Sequence, residues 1–256
     1  MRIAVAGATG NIGARTVATL ERDGHEAVRI SRSHGIDLLK GDGLDEALSG
    51  VDAVIDVTNG PATDPMEAIT WFTTVTRNLL AAEERAGVRH HVLLSIACLY
   101  RVGGNAHYAA KRAQEEVVTH GPVPWTIVPA TQFHDFAAMV AGWTEHDGAA
   151  TVAPLLLQPV DPGDVAEVLA ELAVGEPRGR YADLAGPETQ DLVDMARRTH
   201  QAQGRTVRLI PTWDGLFSTE MAGKVMLPDP GNVRIAPTTF DQWLATQRSE
   251  PAPSTH

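Results

Sequence analysis

Residues 2–13 read RIAVAGATGNIG, a short apolar run that ends in three closely spaced glycines. The run from Arg2 to Ala6 has the pattern of a buried strand, and the apolar spacing that starts at Ile12 is typical of a helix. The glycines therefore lie at a strand-to-helix turn, where they permit positive φ and a close approach of the backbone to a ligand. An ordinary tight turn needs only one glycine, so the stretch predicts a dinucleotide site on the helix N-terminus. Its predicted cofactor-binding residues are Gly7, Thr9, Gly10, Asn11, Ile12 and Gly13.

The composition is that of an enzyme-sized domain: 256 residues, 43% hydrophobic and 21% charged. No apolar run reaches the roughly 18 residues that span a bilayer, and the chain opens on a strand rather than a signal peptide. We therefore expect a cytoplasmic protein with no membrane partner. The formal charge of -11, without a Lys/Arg cluster, argues against a nucleic-acid partner. Cys98 is the only cysteine, and no metal-binding motif is present, so we expect neither a disulfide nor a metal.

Strand and helix patterns alternate through the first half of the chain. After the first strand, further strands are predicted at 25–31, 35–41, 51–58, 90–96 and 125–129. Helices are predicted at 45–48, 65–87 and 106–119. This alternation predicts an α/β fold, a doubly wound parallel Rossmann sheet with its ligand crevice at the carboxyl ends of the strands.

The second half is more irregular and rich in proline. Helices are predicted at 136–143, 161–174 and 195–204, and strands at 151–160, 180–186 and 206–210. We expect this half to complete a substrate pocket. The predicted organisation is a dinucleotide-binding domain at 1–150, an integrated C-terminal lobe at 151–246 and a disordered tail at 247–256.

The end of the second predicted strand bears on the choice of dinucleotide. A carboxylate there favours NAD(H), because it binds the ribose 2′-hydroxyl, whereas Arg and hydroxyl groups suit the 2′-phosphate of NADP(H). This chain has Ser31, Arg32 and Ser33, which predict NADP(H), with NAD(H) as the less favoured cofactor. The alternative is that Arg32 is a solvated loop charge.

Three polar residues follow the next two predicted strands. Asp42 is placed to accept a hydrogen bond from the adenine amino group, or it is simply a turn residue. Thr58 and Asn59 end the strand at 51–58 and are predicted to border the ribose.

Four segments together resemble a known family: GATGNIG at the N-terminus, LLSI with Ser95, the helix HYAAKRAQEEVV and the following PWTIVPATQFHDF. They are similar to the NmrA-like, NAD(P)H-binding group of atypical short-chain dehydrogenase/reductases, from Met1 to about Gly186. The resemblance implies a Rossmann fold, NADP(H) binding, and either a reductase or a redox-sensing protein that keeps the cofactor site without chemistry.

The helix at 106–119 departs from that family's pattern. Its relatives carry Tyr four residues before Lys, so that both side chains share one face. Here the residue four before Lys111 is His107, and Tyr108 stands three before it. Three alternatives follow: His107 donates the proton, Tyr108 does so from a shifted helix, or the proton comes from water or the substrate. In each, Lys111 holds the nicotinamide ribose.

Further candidates surround this helix. Ser95 ends the strand at 90–96, where it either hydrogen-bonds a substrate carbonyl or caps the strand. Backbone after the strand at 125–129 is expected beside the nicotinamide carboxamide, at Pro129, Ala130 and Thr131. The predicted substrate-pocket residues are Gln132, Phe133, His134, Phe136 and Tyr100, with His134 either a second acid/base or a polar wall residue.

These observations predict an NADPH-dependent oxidoreductase that reduces a small, aromatic or conjugated ketone, quinone or imine. The alternatives are a non-catalytic NADP(H)-sensing regulator and a redox-neutral cyclase, isomerase or lyase on the same fold. The expected partner is a small-molecule substrate, and the chain is expected to be a monomer or homodimer.

Overall fold

A parallel sheet of eight strands forms the centre of the protein, in a computed structural model that describes residues 1–60 and 63–247. Its order is β12-β9-β5-β4-β3-β1-β2, and β8 also pairs with β5. These strands are β1 (Arg2–Ala6), β2 (Glu26–Ile30), β3 (Ala53–Asp56), β4 (His90–Ile96), β5 (Trp125–Ala130), β8 (Gly179–Arg180), β9 (Asp183–Ala185) and β12 (Val233–Ile235). The predicted α/β Rossmann architecture is thus confirmed.

Helices cover both faces of this sheet. They are α1 (Asn11–Arg22), α2 (Leu44–Ala47), α3 (Pro65–Ala86), α4 (Ala106–Thr119), α5 (Phe136–Thr144), α6 (Pro162–Ala173), α7 (Leu192–Ala202) and α8 (Phe240–Thr246). One apolar cluster joins the sheet to α1 and α6, and another joins it to α2, α3 and α4. A third cluster fills the lobe that holds α5, α7 and α8.

The local sequence explains why the main elements form. Strand β3 is buried on both faces, as expected for a central parallel strand. Helix α3 has Pro65 in its first turn, an N-cap in Asp64 that accepts from the amide of Glu67, and a left-handed Gly87 at its C-terminus.

Strand register positions the candidate site. Ala6 at the end of β1 lies opposite both Ile30 and Asp56, so the carboxyl ends of β1, β2 and β3 meet at one edge of the sheet. Ile96 lies opposite Ala130 at the ends of β4 and β5. Because β2 and β3 flank β1 on opposite sides, the sheet has its topological switch point beside the glycine turn.

The strand predicted at 35–41 is wrong. Gly35 and Gly41 both take positive φ, of +78° and +80°, and the segment between them folds into a turn. A single antiparallel bridge between Asp37 and Asp42 closes this turn. Only Ile36 is buried, so the apolar letters of GIDLLKG do not make a core strand.

Predictions for the second half need more correction. The strand predicted at 151–160 is two strands, β6 (Ala149–Val152) and β7 (Leu156–Leu157), which pair with β11 (Arg208–Pro211) and β10 (Gln190–Asp191) outside the main sheet. The strand predicted at 180–186 is likewise divided into β8 and β9. The sequence analysis missed β10, β12 and α8. The division at residue 150 stays a prediction, and the tail predicted to be disordered lies, from residue 248, outside the described residues.

Candidate dinucleotide and substrate site

The glycine turn after β1 is shaped by close backbone contacts. Gly7 has a φ of +85°, and a Cβ there would lie 2.9 Å from the carbonyl oxygen of Val57. A Cβ on Gly13 would lie 2.1 Å from the carbonyl oxygen of Gly7. The main-chain atoms cannot move aside as a flexible side chain would, so both positions require glycine.

Helix α1 starts at this turn without a side-chain cap. Its N-cap is Gly10, whereas Asp64, Asn105 and Asp161 cap α3, α4 and α6 with their side chains. The side-chain amide of Asn11 donates to Asp135 at 2.6 Å, so it does not cap the helix. The first amides of α1 and the positive end of its dipole fit the pyrophosphate of a dinucleotide. The predicted residues from Gly7 to Gly13, including exposed Thr9 and buried Ile12, all lie in this turn or the first turn of α1.

A polar turn follows β2 next to the glycine turn, since the amide of Gly7 donates to Ile30 at 3.1 Å. The Ser31 hydroxyl lies 2.9 Å from that of Ser33 and 2.7 Å from Nδ1 of His34. Arg32 is exposed, and no carboxylate of the described residues lies within ion-pair distance of it. The turn therefore presents a guanidinium, two hydroxyls and an imidazole, a donor set that fits a phosphate. The sequence analysis missed His34, although its place beside Ser31 and Ser33 was a usable signal.

Asp42 lies in an exposed turn rather than after a strand. Its carbonyl oxygen accepts from the amide of Asp37 at 3.3 Å, and its side chain is exposed. The predicted contact with adenine stays a prediction, but the strand on which it was based is absent.

The end of β3 carries a buried carboxylate. Asp56 is fully buried and accepts from the amide of Thr58 at 2.8 Å. The Thr58 hydroxyl is itself buried and has no hydrogen-bond partner among the described residues. A buried hydroxyl without a partner costs free energy, so this atom fits a group supplied by a ligand. Asn59 is exposed and its side chain accepts from the amide of Gly60 at 3.1 Å.

The side chain of Lys111 is buried between its own helix, α4, and Phe72 of α3. Its Nζ donates to the carbonyl oxygen of Leu94 at 2.7 Å and to the side-chain oxygen of Gln114, and it lies 5.6 Å from the centre of the Phe72 ring. Burial lowers the pKa of Lys111 to about 8, against the opposing effects of Asp56 and Glu115. An ammonium has three donors, so one remains for a ribose hydroxyl.

His107 and Tyr108 have different surroundings. His107 packs edge-on against Phe72 with ring centres 5.8 Å apart, and burial, together with the charge of Lys111, lowers its pKa to about 4. Tyr108 instead lies beside Cys98, its hydroxyl 3.6 Å from the sulfur, and burial raises the pKa of Tyr108 well above its usual range. His107 is therefore a neutral imidazole near pH 7, and Tyr108 a neutral phenol.

Ser95 does not fit its predicted contact with a carbonyl. It is buried, and its hydroxyl donates to the carboxylate of Glu115, because its side chain points toward α4. Glu115 also accepts from Tyr100 and from Arg180, each at 2.7 Å. Glu115 thus joins the end of β4 to Tyr100 and Arg180, and the pocket role of Tyr100 stays a prediction.

Several polar groups at the end of β5 and just after it already have hydrogen-bond partners within the protein. The carbonyl oxygen of Ala130 accepts from Ala97 at 2.9 Å, and Pro129 lies within the strand opposite Ser95. Thr131 donates its amide to Leu184 at 2.9 Å and its hydroxyl to Gln158 at 2.6 Å. The donors of Thr131 are thus not free for the predicted carboxamide contact.

A small polar group faces the apolar lobe. The side-chain amide of Gln132 donates to the Tyr108 hydroxyl at 3.5 Å, and its oxygen is buried without a partner among the described residues. Cys98 joins Tyr108 to Met226, whose sulfur lies 3.6 Å away. Phe136 packs in the same lobe against Phe217 with ring centres 5.9 Å apart, and its place in a substrate pocket stays a prediction.

The remaining pocket candidates lie deeper. His134 is 1% exposed, donates from Nε2 to the carbonyl oxygen of Pro159 at 3.1 Å, and packs edge-on against Phe240. Helix α8, which was not predicted from the sequence, covers His134, so the pocket role of this residue stays a prediction. Phe133 packs toward the cluster around α1 and α6 rather than into the lobe.

The site also includes residues that the sequence analysis missed. Asp56, Gln114 and Met226 were not singled out. A carboxylate inside the apolar run VDAVID was a signal for Asp56, and Gln114 stands one turn after Lys111 on the same helix. Nothing in the local sequence of Met226 marks it, because the chain brings it to Cys98 from 128 residues away.

Comparison with known proteins agrees with this geometry. Residues 7–174 match the NAD(P)H-binding family, and the chain belongs to it. A curated relative, the (4-alkanoyl-5-oxo-2,5-dihydrofuran-3-yl)methyl phosphate reductase of Streptomyces griseus, is 30% identical over 226 residues, which are 80% of this chain and 75% of the relative.

Solved structures share the fold. Triphenylmethane reductase of Citrobacter sp., in complex with NADP(H), superposes with a TM-score of 0.63 at 20% identity, over 83% of this chain and 79% of that one. UDP-glucose 4-epimerase of Thermus thermophilus, in complex with NAD, superposes with a TM-score of 0.66 at 18% identity, over 97% and 94%. The predicted Rossmann family is confirmed, and the cofactor is a nicotinamide dinucleotide.

A membrane-spanning helix and a cluster of metal-binding side chains are both absent from the described residues. No helix within 1–60 and 63–247 is long and apolar enough to cross a membrane. In the same residues no group of three or more His, Cys, Asp or Glu side chains is placed to hold a metal ion.

Proposed function

We propose that the protein is an NADPH-dependent reductase of a small, aromatic or conjugated ketone, quinone or imine. The observation that carries the proposal is the polar pair of Tyr108 and Gln132, which faces an apolar lobe. Tyr108 lies on the same helix as Lys111, and the chain also has an α1 N-terminus without a side-chain cap. Support comes from the reductase relative, whose name describes a ring double bond beside two carbonyl groups.

The proposed preference for NADPH rests on the turn after β2. Arg32 is an exposed guanidinium beside Ser31, Ser33 and His34, and a guanidinium binds phosphate through two parallel hydrogen bonds. The turn has no carboxylate to hold an unphosphorylated ribose.

On the substrate side, Tyr108 and Gln132 are the proposed orienting groups. When bound, NADPH supplies a hydride to the carbon at the far end of the conjugated system. The Tyr108 hydroxyl stabilises the charge that develops on the carbonyl oxygen by donating a hydrogen bond, and Gln132, which donates to Tyr108, holds that hydroxyl in place.

Water is the proposed source of the proton. His107 has too low a pKa to carry a proton at neutral pH, and Tyr108 has too high a pKa to give one up readily. A conjugated acceptor tolerates this arrangement, since its reduced form can take a proton from solvent after the hydride has arrived.

The test is an assay of NADPH oxidation against a panel of conjugated ketones, quinones, imines and matched saturated ketones. The proposal expects turnover of conjugated members and much slower turnover of saturated ones. Tight NADPH binding without turnover of any member would overturn it and favour the NADP(H)-sensing regulator. Conversion of a substrate without net NADPH oxidation would favour the redox-neutral alternative.

A further inference from the structure

A chain of buried hydrogen bonds connects β3 to the catalytic helix α4. The amide of Thr58 donates to one carboxylate oxygen of Asp56 at 2.8 Å, and the side-chain nitrogen of Gln114 donates to the other at 3.0 Å. The side-chain oxygen of Gln114 accepts from Nζ of Lys111. Asp56 and Gln114 are fully buried, and Lys111 is 5% exposed.

The chemistry of an amide explains why a glutamine stands between these two charges. Its oxygen can only accept and its nitrogen can only donate, whereas an ammonium only donates and a carboxylate only accepts. The partners therefore fix the orientation of Gln114, with its oxygen toward Lys111 and its nitrogen toward Asp56. The same nitrogen also donates to Thr76 of α3 at 3.1 Å, which anchors the amide to a second helix.

The two ends of this chain lie at the carboxyl ends of neighbouring strands, since Asp56 of β3 is opposite Leu93 of β4 and Lys111 bonds to Leu94. At one end, Thr58 carries a buried hydroxyl without a partner among the described residues. At the other end, Lys111 has a remaining donor after its bonds to Gln114 and Leu94.

We propose that Gln114 is a positioning residue for the dinucleotide site. Its side-chain amide orients the Lys111 ammonium directly and the Thr58 turn through Asp56, so that both contact the same ribose. This inference rests on the proposed function only for the contact of Lys111 with ribose. It requires no turnover.

Several titratable groups surround Lys111 and define its electrostatic setting. They are Asp56 on β3, His91 on β4 with its buried partner Glu83 on α3, and Glu115 and His107 on α4. Lys111 hydrogen-bonds none of these directly; the side-chain bond that holds its ammonium goes to Gln114.

An exchange of charge along the chain tests the proposal. Gln114→Glu places a second carboxylate against Asp56 and removes the donor between them. The double variant Asp56→Asn, Gln114→Glu restores the bonds between positions 56, 58, 111 and 114, because the asparagine nitrogen donates to Glu and its oxygen still accepts from Thr58. The bond donated to Thr76 is not restored in that form. Glu116→Gln, on the exposed side of the same helix, is the matched control. Gln114→Met removes all three side-chain bonds, to Lys111, Asp56 and Thr76, without adding charge.

The readout is the Kd of NADP+ measured by calorimetric titration from neutral to alkaline pH, with thermal unfolding of each variant alongside. We expect Gln114→Glu and Gln114→Met to weaken binding about tenfold or more, and the double variant to recover to within about threefold of the parent. The double variant should also retain affinity to higher pH, since a carboxylate now bonds the Lys111 ammonium directly.

Two results would overturn the proposal. One is unchanged NADP+ affinity in folded Gln114→Met or Gln114→Glu protein. The other is a double variant that regains thermal stability but neither affinity nor the alkaline shift, which is the behaviour of a merely structural residue. A parent protein that binds NADP+ but reduces nothing would refute the proposed function and leave this inference standing.

Discussion

Helices α1 and α4 both begin near the crevice, but they contribute to it in opposite ways. The N-terminus of α1 has a glycine N-cap and offers backbone amides. The N-terminus of α4 is closed by Asn105, whose side chain accepts from the amides of His107 and Tyr108, and α4 contributes through side chains instead. The first helix therefore acts through main-chain geometry and the second through burial and hydrogen-bond partners.

That difference separates binding from chemistry. The proposed binding of a pyrophosphate by the amides of α1 does not depend on the other side chains of the crevice. The side chains of α4 depend on residues from outside that helix, such as Phe72 for His107, Cys98 for Tyr108 and Leu94 for Lys111. Predictions for the two helices should accordingly differ in size and in kind.

The largest effect is expected at the α1 end. Gly13→Ala puts a Cβ where only 2.1 Å separates it from the carbonyl oxygen of Gly7. We expect a loss of about 3 kcal/mol in the free energy of unfolding and loss of detectable NADP+ binding, measured by denaturant titration and calorimetry. Gly10→Ala is the control, since its Cβ would lie 3.4 Å from the nearest atom, and it should cost about 1 kcal/mol or less. Equal effects of the two substitutions would contradict the steric account.

A smaller effect is expected when α4 loses its charge. Lys111→Met should raise the Kd of NADP+ about ten- to a hundredfold, because it removes a charged hydrogen bond to ribose. The pKa of Lys111 is about 8, so affinity of the parent should fall as pH rises through that value and the ammonium is lost. Calorimetric titration across this range checks both. Lys224→Met, at an exposed position, should bind like the parent, and a flat pH dependence of the parent would contradict the role given to Lys111.

The turn after β2, like the N-terminus of α1, is expected to affect cofactor binding rather than chemistry. Arg32→Ser should raise the Kd of NADP+ about tenfold and leave that of NAD+ within about twofold, because only the 2′-phosphate loses a charged partner. Competitive titration of the two nucleotides measures the ratio. Arg197→Ser on α7 is the control. An equal loss for both nucleotides would mean that Arg32 does not read the phosphate.

Tyr108 tests the substrate side of α4. Tyr108→Phe should lower kcat/KM about five- to tenfold with the best acceptor of the panel, since one neutral hydrogen bond is lost, while NADP+ affinity stays unchanged. Steady-state kinetics together with cofactor titration separate the two quantities. A change confined to cofactor affinity would place Tyr108 elsewhere in the mechanism.

The smallest effect is expected at His107. Its pKa of about 4 leaves it neutral across about pH 5.5 to 8, so it supplies no titrating proton there. His107→Asn should change kcat/KM less than about threefold and leave the pH profile unaltered. Disappearance of a pH limb near the usual value for histidine would instead identify His107 as the proton donor.

The same contrast explains how much could be predicted from sequence. The α1 turn was predictable because glycine spacing reports backbone geometry directly, and the strands around it follow from their apolar runs. The segment 35–41 has apolar letters as well, but its two glycines with positive φ make a turn. A capping box at Thr239 and Gln242 was a signal for α8 that the apolar pattern alone did not give.

Side-chain roles were harder to predict because they depend on distant partners. Ser95 ends a strand, as expected, but Glu115 from α4 holds its hydroxyl. His134 follows β5, yet Phe240 and Trp243 of α8 cover it. Burial, more than the charge of Lys111, lowers the pKa of His107, and no spacing rule on α4 reports how deep that side chain lies.

The most direct test of the central claim is isotope transfer from NADPH that carries deuterium at the reactive position of its nicotinamide ring. The account predicts that a conjugated acceptor incubated with the protein becomes a product that contains this deuterium, at the carbon remote from the carbonyl, as read by mass spectrometry and NMR. A product without deuterium, or one formed at the same rate without NADPH, would contradict it.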